Sequence, residues 1–331
     1  MNFTKHKVFS LIAILVVAFA FAGCNRKPAG GGGGGAGSTS GKKVIGFSQM
    51  ENNGPWRIAE TQSMRDEAAK RADKYDIVVT DAQGQTSKQV SDVEDLIARR
   101  VDAIFLAPRE FEGLEATLRK AKEAKIPVFL IDREAAGKVG EDYVTFIGSN
   151  FVEEGARVGE WVVKNTNGKA GVVILEGTAG ASVARDRNQG FMDAIKGSPD
   201  IKVLASQPAN FTRAEGQKVM ENLIQAHGKN ITVVYTHNDE MALGAIQALK
   251  AANMNPGKDV KVVSVDGQKS ALEAIQAGNL NITVECNPRF GPIAFDTYEK
   301  HLRGEAIPPK IIVPDKFFDP SNVAQYVAEA Y

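Results

Sequence analysis

Val128-Phe129-Leu130-Ile131-Asp132-Arg133 is a four-residue apolar run closed abruptly by two opposite charges. A run this short and this continuously apolar reads as a strand covered on both faces, as in a parallel sheet flanked by helices. The same unit recurs along the chain. In the first half, strands are expected at Val44–Ser48, Ile77–Asp81, Ala103–Leu106, Val128–Ile131 and Val144–Ile147. In the second half they are expected at Val172–Leu175, Val203–Ser206, Val233–Tyr235, Val262–Val265 and Ile282–Val284. Helical spacing fills the intervals: Val90, Val93, Ile97 and Val101 form one face, and Leu114, Leu118 and Ala121 another. Strand and helix alternating in this way predict an α/β fold with parallel sheets. The 331 residues exceed what one core usually serves, so two doubly wound, Rossmann-like lobes of similar size are expected. No Pro/Ser-rich linker separates them.

The composition is that of a globular protein, 43% hydrophobic and 24% charged. Forty basic and forty acidic residues cancel. Because Lys5, Lys7, Arg26 and Lys27 precede residue 42 with no acid beside them, residues 42–331 carry a net charge of −4. A domain with no positive excess lacks the main driving force for nucleic-acid binding. Residues 1–23 read as a secretion signal, with Lys5, His6 and Lys7 preceding an apolar run from Val8 to Ala22. That run is shorter than the ~20 apolar residues of a spanning helix. Phe21-Ala22-Gly23-Cys24 resembles the lipobox of bacterial lipoproteins, with Phe21 where Leu is usual, and so implies lipidation at Cys24. Residues 24–41, including the glycine run 30–35, read as a flexible tether. Acylation of Cys24 would leave Cys286 with no disulfide partner.

Ligands of doubly wound sheets bind beyond the carboxyl ends of the strands. The residues there are Gln49 and then Asn52-Asn53-Gly54-Pro55-Trp56-Arg57, Asp132-Arg133, Arg185 and Arg187, Asn210-Phe211, Asn238-Asp239 and Asp266-Gly267. Carboxylates and amides accept from hydroxyls, arginine donates in a fixed fork, and aromatic rings cover the C–H face of a sugar. Such a wall suits a small polyol. Each residue also has a purely structural reading. Asp239 could cap a helix, Asp132 and Arg133 could form a surface ion pair, Asn53-Gly54 and Asp266-Gly267 could form turns, and Trp56 could staple its helix to the sheet. Two arginines at a helix start demand a counter-group, with a ligand oxygen as one candidate. Catalysis finds little support. His6, His227, His237 and His301 show no metal spacing, no Gly-x-Ser-x-Gly occurs, and Gly177-Thr178-Ala179-Gly180 lacks the dinucleotide spacing. His237 reads as a packing residue.

With these residues in view, the chain from Lys43 onward resembles the sugar-binding proteins of bacterial ABC importers, the ribose and galactose type of periplasmic binding protein. The likeness is carried by Asp132-Arg133 and by the segments 180–187, 205–213 and 237–245. Gly46-Phe47-Ser48-Gln49, Trp56-Arg57-Ile58-Ala59-Glu60 and Val284-Glu285 look most like the galactofuranose-binding branch. The ribose branch carries paired phenylalanines after its first strand, and has a polar contact where Cys286 stands. The resemblance implies ligand contacts at Trp56, Arg57, Asp132, Arg133, Arg187, Phe211, Asn238 and Asp266. Glu285 is a further contact, as is Asn150 at a hinge crossing, with Phe151 as its aromatic alternative. It also implies three hinge crossings, with lobes at 42–149 plus 287–317 and at 150–286 plus 318–331. The implied protein is an extracytoplasmic monomer without cofactor, metal or catalytic activity. It would be lipid-anchored to a bacterial membrane and deliver a monosaccharide to an ABC permease. The alternative is a sugar-sensing binding protein for a chemoreceptor or sensor kinase.

Overall fold

A computed structural model describes residues 41–331, so the expected signal, the expected lipidation site at Cys24 and nearly all of the expected tether lie outside the described residues. Twelve strands are described: β1 Lys43–Gln49, β2 Tyr75–Asp81, β3 Ala103–Leu106, β4 Val128–Ile131, β5 Phe146–Gly148, β6 Lys169–Glu176, β7 Asp200–Pro208, β8 Val233–Thr236, β9 Lys261–Asp266, β10 Ile282–Glu285, β11 Lys310–Ile312 and β12 Phe317–Phe318. Nine helices lie between them: α1 Gly54–Lys70, α2 Thr86–Ala98, α3 Glu115–Glu123, α4 Phe151–Asn165, α5 Ser182–Ile195, α6 Arg213–His227, α7 Asp239–Ala251, α8 Lys269–Gln276 and α9 Gly291–Leu302.

The strands form two six-stranded sheets, ordered β11-β5-β4-β3-β1-β2 and β12-β10-β9-β8-β6-β7. The inner strands β3, β4, β8 and β10 are buried along their whole length, while the edge strands β2 and β7 are partly exposed, as helices on both faces require. The α/β architecture of two doubly wound lobes is therefore the one expected. Helix starts follow local chemistry. Pro55 occupies the first turn of α1, and Thr212 caps α6 by accepting from the Glu215 amide at 3.3 Å.

The differences are instructive. β5 begins two residues later than expected, because Val144 donates to the Val128 carbonyl before the strand proper. Val101 lies beyond α2, whose buried residues are Gln89, Val93 and Leu96. β11 and β12, of three and two residues, are too short to show any alternation, and β12 runs antiparallel to β10. Because β11 joins the first sheet and β12 the second, the chain passes between sheets three times, at 149–150, 286–290 and 313–316. The expected boundary at 317/318 falls inside β12, since Phe317 pairs with Val284 of the second sheet.

Candidate functional site

The carboxyl ends of both sheets face a cavity of about 290 Å³, at the lower end of the usual ~300–1,000 Å³ for small-molecule pockets. From the first sheet, the opening turn of α1 brings Trp56 and Arg57, and the end of β4 brings Asp132 and Arg133. Arg57 donates from one terminal nitrogen to Glu60 Oε2 at 2.8 Å and from the other to Asp132 Oδ2 at 2.7 Å, with its guanidinium 4.5 Å from the Trp56 ring centroid. Gln49, at the end of β1, donates to the same Glu60 oxygen at 2.8 Å. Arg133 donates to the Arg109 carbonyl at 2.8 Å and lies 5.2 Å from the Phe211 ring, while its buried Nε meets no acceptor among the described residues.

From the second sheet, Arg187 on α5 donates through Nε to Glu154 Oε2 at 2.7 Å and through a terminal nitrogen to the His237 carbonyl. Its other terminal nitrogen is 3.7 Å from Asp266 Oδ1. Asn238 caps α7, accepting from the Met241 amide at 3.0 Å and donating to the Phe211 carbonyl at 3.0 Å. Asp239 behind it accepts from Ser264, from Thr283 at 2.8 Å, and from the Gly267 and Gln268 amides at 2.8 and 2.9 Å. That carboxylate therefore fixes the turn that carries Asp266.

Three cavity residues hold left-handed backbone. Asp132, Phe211 and Asp266 adopt φ of 63°, 60° and 134°, values that non-glycine residues rarely hold. The conformation turns each side chain off its strand end into the cavity. Phe211 lies directly over Gly177, where a Cβ would fall 1.8 Å from the ring. Trp56 Nε1 donates to the Cys286 carbonyl at 2.8 Å, so the indole is held across the two sheets.

Eight of the ten expected contacts line the cavity: Trp56, Arg57, Asp132, Arg133, Arg187, Phe211, Asn238 and Asp266. Two do not. Asn150 is exposed and caps α4, accepting from the Glu153 amide at 3.3 Å. Glu285 spends both carboxylate oxygens on Lys316, whose amide is 2.9 Å away. Phe151 is buried against Phe146 and beneath Arg187, and Arg185 is exposed and paired with Asp186 at 2.7 Å. Sequence reading missed Glu60 and Glu154 as partners of the cavity arginines, and Arg213 paired with Glu240 at the cavity wall. Glu60 left a trace, being one helical turn beyond Arg57; Glu154 is far from Arg187 in the chain and left none.

The electrostatics define what fits. Asp132 and Asp266 are 3% and 4% exposed, yet among the described residues no hydrogen-bond donor reaches Asp132 Oδ1 or either oxygen of Asp266. Burial lifts the Asp266 carboxyl well above the usual range, with Arg187 pulling it down. Arg57 is paired with Glu60 and Asp132, and Arg187 with Glu154 and Asp266, so neither guanidinium stands free to favour an anion. A neutral ligand rich in hydroxyls would supply the missing donors and accept from the arginines. His237, wholly buried with its imidazole held down to about 3 by burial and then by Arg187, packs against Tyr235 and is not placed to shuttle protons.

Residues 45–306 match the family described as periplasmic binding protein domain. The chain is 44% identical over 271 residues to the galactofuranose-binding protein YtfQ of Escherichia coli, covering 81% of this chain and 85% of that one. It is 34% identical to the ribose import binding protein RbsB of Bacillus subtilis over 94% of this chain and 98% of that one. Among solved structures, the periplasmic binding component of the arabinose ABC transporter from Shewanella sp. ANA-3, bound to α- and β-L-arabinofuranose, superposes with a TM-score of 0.84 at 38% identity, covering 87% of this chain and 95% of that one.

Proposed function

The chain belongs to the periplasmic binding protein family, and from that premise we propose that its cavity captures one neutral monosaccharide in furanose form, galactofuranose or a related sugar, for delivery to an ABC permease. It is a binding protein and not an enzyme. One observation carries the choice of ligand class: Asp132 and Asp266, buried on opposite sheets, face the cavity with oxygens that no donor among the described residues reaches. Sugar hydroxyls would donate to them, Arg57, Arg133 and Arg187 would donate to sugar oxygens, and Trp56 and Phe211 would cover the ring.

Contacts from both sheets make the ligand bind the closed arrangement better than an open one, and that difference drives closure through the three connections at 149–150, 286–290 and 313–316. Proteins of this family work outside the cytoplasm. The lipobox-like sequence at Cys24 supports a lipid tether, which Cys24→Ala would abolish by moving the protein from the membrane to the soluble fraction. The ligand assignment is tested by calorimetric titration with D-galactose, L-arabinose, D-fucose, D-ribose and D-glucose 6-phosphate. Saturable heat with a neutral sugar and none with the phosphate is expected; binding of the phosphate alone would overturn it.

A further inference from the structure

We propose that Glu60 is a positioning residue, a buried carboxylate that touches no ligand but holds the Arg57 guanidinium in its ligand-binding orientation and makes affinity depend on its own ionisation. This rests on the reading of the cavity as a monosaccharide site. Arg57 is fixed at two corners, by Glu60 Oε2 at 2.8 Å and Asp132 Oδ2 at 2.7 Å. Asp132 lines the cavity, so its corner is shared with whatever binds there. Glu60 is wholly buried and does not line the cavity, so its corner is the one a ligand leaves undisturbed. Gln49, at the end of β1, fixes Glu60 in turn, donating to Glu60 at 2.8 Å and to Thr61 at 3.1 Å. All of these residues belong to the first sheet and α1, so the arrangement is complete before the second lobe contributes anything. Such pre-ordering lowers the entropy lost when a ligand immobilises a flexible arginine.

The geometry makes the charge state matter. Glu60 Oε2 already takes two donors, and buried Oε1 has no partner among the described residues. A proton on this carboxyl would therefore weaken the pair with Arg57 without gaining an acceptor. The charged groups facing it are Arg57 on its own helix, and Asp132 and Arg133 at the end of β4. Burial is the largest influence and lifts the carboxyl to about 7, with Arg57 opposing and Asp132 adding to the rise. Between pH 8 and pH 6 the carboxylate thus takes up its proton, and affinity falls as the pH falls.

The test compares the unmutated protein with Glu60→Gln by calorimetry at pH 8, 7 and 6, using whichever of D-galactose, L-arabinose, D-fucose or D-ribose binds the unmutated protein most tightly. Glu60→Gln should weaken binding at pH 8 about tenfold or more, the loss expected for one charge-assisted hydrogen bond, and should flatten the decline toward pH 6. A purely structural role would lower the melting temperature and leave both readouts unchanged. Where Glu60→Gln does not fold, Glu60→Asp serves: it keeps the charge but withdraws it from Arg57, and the same weakening at pH 8 is expected. Saturable binding by the unmutated protein, with variant affinity within about twofold or with superimposable pH profiles, overturns the positioning role alone. No saturable binding of any of the four sugars to the unmutated protein overturns the monosaccharide reading and the positioning role together.

Discussion

Asp132 shows how one residue serves both halves of the account. Its φ of 63° turns the carboxylate off the end of β4, where one oxygen pairs with Arg57 and the other is left for a ligand. Asp132→Asn keeps the shape and removes the charge, while Glu60 continues to hold Arg57. Losing two charge-assisted hydrogen bonds should weaken sugar binding about 100-fold, with circular dichroism unchanged. Retained affinity would show that Asp132 is an ordinary buried ion pair. At this scale the sequence was legible where a residue follows a strand directly, because a strand's end fixes which way the next side chains point. Asn150 and Glu285 also sit beside strand ends but do not line the cavity: Asn150 caps its own helix through the Glu153 amide, and Glu285 is held by Lys316, a contact distant in the chain. Glu154 was invisible because it meets Arg187 through the packing of α4 on α5, not through any local pattern.

The α4–α5 pair is set close by two glycines. At Gly155 of α4 a Cβ would lie 2.1 Å from the Arg187 carbonyl, and at Gly190 of α5 one would lie 1.9 Å from the Val152 carbonyl. The two glycines bring the backbones close enough for Glu154 to reach Arg187. Gly155→Ala should push α5 away, costing about 1–3 kcal/mol in urea unfolding and weakening sugar binding as Arg187 moves. Gly197→Ala, with nothing within 4 Å, is the matched control and should change neither quantity. Equal stability and affinity in both variants would mean that helix spacing does not place the arginine. Elements of about four residues or more were readable from apolar runs and spacing, since burial on a sheet or helix face imposes a period. β11 and β12 were not, because strands of three and two residues are held by their neighbours' hydrogen bonds rather than by any pattern of their own.

For the whole molecule, the alternation of strand and helix was enough to predict two doubly wound lobes, while the three crossings were expected from the family resemblance. The third crossing, at 313–316, lies just before the expected boundary at 317/318, which falls inside β12. Its Asp315 lies where these connections meet, accepting from Ser149 at 3.0 Å, and burial followed by Glu154 lifts its carboxyl to about 8. A carboxyl raised above its ordinary 3.8 favours the folded state fully below that value and loses the advantage as the pH rises through about 8. Asp315→Asn should therefore raise the melting temperature more at pH 9 than at pH 5; an equal effect at both would contradict this. Titrating a Trp161→Phe variant, in which Trp56 is the one remaining tryptophan, with D-galactose, L-arabinose, D-fucose and D-ribose while following fluorescence shows directly whether a neutral sugar is held between the two lobes. The expected result is a saturable change with one sugar, shifted about 100-fold to higher sugar concentration in Asp132→Asn. No change with any of them, together with no heat in the calorimeter, would contradict the account.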